Sequence, residues 1–162
     1  MELKPRVTEA INKQINAEMW SSNLYLSMSM HFAHVGLNGF AHWMKLQSQE
    51  EMHHAYEMME YLNKRGGQVK ILAVNEVPCE FGTPLEIMEQ VYAHECKVSE
   101  LIEQLVSLAH EERDMPTQDF FWGFIREQVE EEATCTTIID QLRLVQGHNI
   151  IFIDKNMGKR EA

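Results

Sequence analysis

The chain has only three cysteines, four prolines and eight glycines among its 162 residues, and each scarcity excludes something. Cys79, Cys96 and Cys135 stand far apart with no CxxC pair, so neither a thiolate zinc site nor a thiolate iron site is indicated. Thiols so placed read as reduced, which points to a cytoplasmic chain. With so little proline and glycine no stretch reads as a linker, and residues 1–162 are expected to form a single domain large enough to bury a core. Basic residues are also in short supply. There are 14 Lys and Arg against 25 Asp and Glu, a net charge of -11, which argues against nucleic acid as a partner and for solubility or the attraction of cations into acidic openings. No segment approaches ~18 uninterrupted apolar residues, and "MELKPRVTEAINKQ" has no apolar run behind its basic residues. Neither a membrane span nor an export signal is therefore expected.

Strand-type alternation is nearly absent too, and helical periodicity takes its place. The apolar spacing predicts helices over 5–34, 38–65, 84–111 and 117–146, with a short fifth over 149–157. "VGLNG", "RGG" and "RDMP" punctuate them. "TPLE" opens the third helix with Thr83 as cap, Pro84 at the first helical position and Glu86 closing a capping box. Between the second and third helices, "QVKILAVNEVPCEFG" is too long for a tight turn and suits a crossing of the bundle's length. The fold class is thus all-α: a four-helix bundle with a long crossover between its second and third helices and a short C-terminal helix. Trp20, Met28 and Met30 fall off the inward stripe and are expected to need a partner surface.

One stretch resists this simple reading. In "LQSQEEMHHAYEMMEYLNKRGG" the stripe begun by Phe40, Trp43 and Met44 continues through Gln47, Glu51, His54, Met58, Tyr61 and Leu62. A carboxylate and an imidazole occupy core positions. The same intrusion recurs in each long helix: Glu18 follows Ile11 and Ile15, Glu95 follows Val91 and Tyr92, and Gln128 and Glu131 follow Phe124 and Ile125. Glu18 and Glu51 are 33 positions apart, as are Glu95 and Gln128, and Glu51/His54 and Gln128/Glu131 each stand at i, i+3. In a bundle of two similar helix pairs, equal spacing brings the sites to one level.

Four carboxylates in an apolar interior would repel one another and lose hydration at several kcal/mol per ion. Protons, basic partners or metal can relieve this, and no lysine or arginine lies on these stripes at that level. Glu18, Glu51, Glu95 and Glu131 carry the charge of two divalent cations, and one imidazole among carboxylates suits iron, manganese or zinc. A single glutamate on an apolar stripe is usually a hydrogen-bonded core residue. Four at matching levels read instead as a dinuclear site, the arrangement by which ferritin-like carboxylate proteins hold two metal ions.

At these residues the chain resembles a known family. "NAEMWSSNLYLSMS", "QSQEEMHHAYEMMEYLNKRGG", "YAHECKV", "REQVEEE" and "NIIFIDK" are similar to the non-haem bacterial ferritins over essentially the whole length. The resemblance implies a ferritin-like fold, ferroxidase activity with dioxygen or hydrogen peroxide, and storage of ferric mineral in a shell of twenty-four chains. It makes Glu18, Glu51 and His54 the ligands of one iron and Glu51, Glu95 and Glu131 those of the second, with Glu51 bridging and Gln128 and Tyr25 alongside. A third site toward the inner cavity would use Glu50, Glu127 and Glu130, with Glu131 shared.

Two departures stand out. Gln128-x-x-Glu131 replaces a second Glu-x-x-His, so the two irons should be unequally ligated. Trp122 lies one position before the family's tryptophan, with Gly123 in its place, which puts an electron-donor role in doubt. Met52 follows Glu51 as in haem-binding bacterioferritins, but non-haem relatives share it and the second Glu-x-x-His is missing, so no haem is expected. Two rival functions remain: a di-iron enzyme acting on an organic substrate, for which the chain has little spare length, and a passive or DNA-protecting cage, which the acidic charge disfavours.

Overall fold

The computed structural model describes residues 2–162. Five helices follow one another: α1 (Pro5–His34), α2 (Asn38–Lys64), α3 (Pro84–Glu111), α4 (Met115–Val145) and the short α5 (Ile150–Met157). Among the described residues there is no strand, and no helix is long and apolar enough to cross a membrane. α1 packs along α2, α3 along α4, α1 lies beside α3, and α5 rests against α2 and α4. This is the four-helix bundle the periodicity predicts.

The helix ends have local causes. After α1 the chain reverses through Gly36 at φ 86°, where Leu37 N–H reaches back to Phe32 O at 2.9 Å. After α2, Gly66 at φ 78° lets Gly67 N–H reach Leu62 O at 2.9 Å. Both are left-handed caps that glycine adopts without a Cβ penalty. Thr83 caps α3 by accepting from Glu86 N–H at 3.2 Å, but its hydroxyl then donates to Glu86 Oε1 at 3.1 Å, a variant of the expected capping box. α4 starts two residues before the expected Thr117. Asp114 is the cap, accepting from Thr117 N–H at 3.1 Å, and Pro116 sits in the first turn where no N–H is needed.

The crossover is fastened to α1 by a polar row. Asn12 donates to Gln68 O at 2.9 Å and accepts from Lys70 N–H at 2.8 Å, Asn16 reaches Ala73 O at 3.1 Å, Trp20 Nε1 reaches Glu76 O at 3.3 Å and Ser27 reaches Pro78 O at 2.7 Å. These residues lie on one face of α1, so they satisfy carbonyls of a segment that has no ladder of its own. The expectation that Met28 needs a partner surface is corrected, and that for Trp20 is met only in part by the crossover. Trp20 lies half-buried under the crossover, and Met28 is 1% exposed in the core, while Met30 remains exposed.

The core is two clusters. Toward one end, Tyr25, Met28, Phe32, Phe40, Met44, Met88, Val91, Cys135 and Ile139 pack together; toward the other, Val7, Ile11, Ile15, Met58, Leu62, Val98, Ile102, Phe121 and Phe124. Each such side chain contributes about 1.5–3 kcal/mol by leaving water. The clusters stop at Ile15 and resume at Leu24 on α1, and leave comparable gaps between Met44 and Ala55, Val91 and Val98, and Phe124 and Cys135. A polar layer fills those gaps.

Candidate metal centre

Each helix contributes to that layer because its apolar stripe is interrupted at mid-length. Glu18 from α1 is 1% exposed, Glu51 from α2 is 1% exposed and Glu95 from α3 is fully buried. His54, one turn after Glu51, and Gln128 from α4 are buried with them.

Glu18 Oε1 accepts from Gln14 Nε2 one turn earlier at 2.9 Å, which leaves Oε2 without a hydrogen-bond partner. Glu51 Oε1 is likewise without one. Both orphaned oxygens face the same nitrogen: His54 Nδ1 lies 3.9 Å from Glu18 Oε2 and 3.8 Å from Glu51 Oε1. Ligand atoms of Glu18, Glu51 and His54 all lie within 4.8 Å of one another. Metal–ligand bonds of about 2 Å put neighbouring ligand atoms roughly 3–4 Å apart, so the three residues fit a transition-metal ion.

The remaining groups position His54 and Glu95. His54 Nε2 is 2.8 Å from Glu127 Oε1; a carboxylate only accepts, so Nε2 carries the proton and Nδ1 is left to face the two orphaned oxygens. Burial disfavours the imidazolium, yet the hydrogen bond to Glu127 and the charges of Glu18 and Glu50 outweigh it and raise the His54 pKa to about 9. Glu95 Oε1 accepts from the Tyr25 hydroxyl at 2.5 Å, and Oε2 from Gln128 Nε2 at 3.0 Å. Burial and the charges of Glu18, Glu95 and Glu131 push Glu51 well above the usual carboxylate range. Burial, with Glu50 and Glu95 nearby, brings Glu131 up to about 7.

Of the residues expected at a third site, Glu50 and Glu127 converge on His54 in a second group of potential ligands. Glu130 is exposed and stands outside both groups among the described residues. Trp122 is 47% exposed and Met52 half-buried.

The layer also holds a residue that helical periodicity does not reveal. Arg160, beyond α5, donates through Nη1 to Gln47 Oε1 at 2.9 Å and through Nη2 to Glu50 Oε2 at 2.9 Å. Gln47 in turn donates to Glu131 Oε2 at 2.8 Å. No basic group stands on the four helical stripes at this level, yet one reaches it: the arginine arrives from the tail, off every stripe. The only hint in the sequence is the basic cluster "GKRE" after an apolar segment.

Comparison with known proteins agrees with the fold. A family model described as a ferritin-like domain matches residues 8–145. The chain belongs to the ferritin family. This ferritin chain is 54% identical to a bacterial non-heme ferritin of Bacteroides fragilis over 158 residues, covering 98% of the chain and 99% of that protein. It is 34% identical to a bacterial non-heme ferritin of Escherichia coli, covering 96% of each. Among solved structures it superposes on an open pore ferritin from the archaeon Archaeoglobus fulgidus with a TM-score of 0.96 and 43% identity, covering 98% of both chains.

Proposed function

We propose that this ferritin takes up ferrous iron, oxidises it at a dinuclear centre within the subunit, and stores the ferric product as a mineral inside a hollow homo-oligomeric shell of twenty-four chains in the cytoplasm. Iron is substrate and cargo here. The observation that carries the reading is the pair of orphaned buried oxygens, Glu18 Oε2 and Glu51 Oε1, both turned to His54 Nδ1. Leaving buried carboxylate oxygens unpartnered costs several kcal/mol, and a divalent cation between them removes that cost.

In this reading Glu18, Glu51 and His54 bind one ferrous ion, and Glu51, Glu95 and Glu131 bind the second, with Gln128 and Tyr25 holding Glu95 in place. Each ion gives one electron to dioxygen, which takes up two protons and leaves as hydrogen peroxide, or peroxide itself is the oxidant and is reduced to water. Hard carboxylate oxygens favour the more highly charged ferric product. Glu50 and Glu127, with Glu130 further out, then form a weaker site on the way inward. Donors of this kind need no haem at Met52.

The test is anaerobic ferrous titration of the apo-protein followed by air, read by absorbance and particle mass together. About two ferrous ions per chain bound before air, then ferric absorbance in a particle far heavier than one chain, is the expected result. Oxidation no faster than in buffer would overturn the reading.

A further inference from the structure

The tail arginine has more contacts than are needed to end a chain. Arg160 spreads its guanidinium over the Trp43 ring at 4.6 Å, donates to Trp43 O at 3.2 Å, to Gln47 Oε1 at 2.9 Å and to Glu50 Oε2 at 2.9 Å, while its own carbonyl is 2.7 Å from His42 Nε2. Its side chain is mostly buried, as is that of Glu50. We infer that Arg160 is a positioning residue of the metal centre, through which the C-terminal tail holds Glu50 and Glu131 and sets the affinity of the Glu50 side of the site for divalent cations.

Two contacts carry this, and they act differently. Guanidinium has only donors, so it fixes the Gln47 amide with its oxygen toward the tail and its NH₂ toward Glu131. Without that constraint the amide can turn over and present its oxygen to a carboxylate. The second contact is a charge-assisted hydrogen bond to Glu50, the group that stands with His54 and Glu127 in the second ligand cluster. A cation entering that cluster must draw Glu50 away from Arg160 or share it, against the repulsion of a fixed positive charge. The arginine thereby keeps this side weak for cations, which suits a place ions pass through rather than stay. This inference rests on the proposed function.

Zinc, which does not change oxidation state, separates the two. In calorimetric titration of the assembled apo-protein, the weaker class of sites is identified as the one lost in Glu50→Gln. Arg160→Gln should tighten that class by on the order of tenfold, the scale on which outer-shell partners act. Arg160→Lys, which keeps the charge but loses the fork to Gln47 and the stacking on Trp43, should fall between the parent and Arg160→Gln. Hydrogen exchange of residues 158–162 supplies a second readout: zinc saturation should speed it in the parent but not in Glu50→Gln, and a chain cut after Gly158 should bind zinc as Arg160→Gln does. A purely structural tail would leave the zinc isotherm unmoved. Superposable isotherms for parent and Arg160→Gln overturn the inference while the metal centre stands. A parent that binds no zinc overturns both.

Discussion

The Tyr25 hydroxyl donates to Glu95 Oε1 at 2.5 Å, tying α1 to α3 inside the polar layer. Burial, then the charges of Glu95 and Glu51, hold the phenol well above its usual pKa, so it remains a neutral donor throughout the working pH range. Burial likewise raises Glu95, against which the hydrogen bonds from Tyr25 and Gln128 act. Tyr25→Phe removes the largest of the hydrogen bonds that favour the Glu95 carboxylate. Zinc binding by the apo-protein is expected to weaken about tenfold, and its pH midpoint to move upward, because Glu95 then ionises less readily. A zinc midpoint that stays in place would show that Tyr25 is only packing.

Away from the site, Arg65 and Asp114 join the end of α2 to the start of α4. Arg65 Nη1 and Nη2 reach Asp114 Oδ1 and Oδ2 at 2.9 and 3.2 Å, and the same carboxylate caps α4. Burial would raise the Asp114 pKa, but the Arg65 hydrogen bonds and the Thr117 N–H outweigh it and lower it. Asp114→Ala leaves the half-buried Arg65 without its carboxylate, though still bonded to Thr117 Oγ1, and α4 uncapped, a loss of about 3 kcal/mol in urea unfolding. A depressed folded pKa gives stability that is present above the unfolded value of 3.8 and disappears as pH falls through the folded one. Parent and variant should therefore converge on acidification below about pH 4.

What the sequence reveals follows from which contacts repeat. Glu18, Glu51 and Glu95 are legible because each sits on a 3.6-residue stripe, and their depth follows from the equal spacing of 33 between helices. Breadth of burial is less legible. Met28 is buried beside Ser29 because α2, α3 and the crossover surround α1 on a wider arc than one stripe, whereas Tyr92, expected inward, is 38% exposed because α3 packs only on α4 and α1. Arg160 is barely legible. It belongs to no periodic segment, and its position depends on how α5 docks on α2.

That docking brings backbone close to backbone at Gly39. A Cβ on Gly39 would lie 1.7 Å from Asp154 O and 2.5 Å from its carbonyl carbon, so α5 must shift if the residue is enlarged. The same contact brings Asp154 Oδ1 to Phe40 N–H at 2.9 Å. Gly39→Ala is expected to release α5 and raise hydrogen exchange over 150–157 by tenfold or more, even though alanine favours a helix by about 1 kcal/mol. Gly123→Ala is the control, since its Cβ would meet nothing nearer than Arg126 Nη2 at 4.0 Å, and it should stabilise by about 0.5–1 kcal/mol. Equal exchange at α5 in both variants would mean the helix is already undocked in solution.

Glu51 gives the sharpest prediction, because in the proposed centre it alone serves both irons. Glu51→Gln keeps the volume and removes the bridging charge, so the fast phase of ferrous oxidation should disappear, since one iron alone does not readily deliver two electrons to dioxygen. The apo-protein should respond in the opposite sense. Burial and the charges of Glu18, Glu95 and Glu131 raise the folded pKa of Glu51 above its unfolded value near 4.5. Such a group adds its full stability below pH 4.5 and loses it as pH rises toward the folded pKa. The glutamine cannot ionise, so the variant's apo-protein should melt above the parent at pH 8, and the two should coincide near pH 4. Stopped-flow oxidation and apo melting at those two pH values test both halves. Oxidation at the parent rate would end the dinuclear assignment, and a variant that melts below the parent at pH 8 would make Glu51 a hydrogen-bonded structural residue instead.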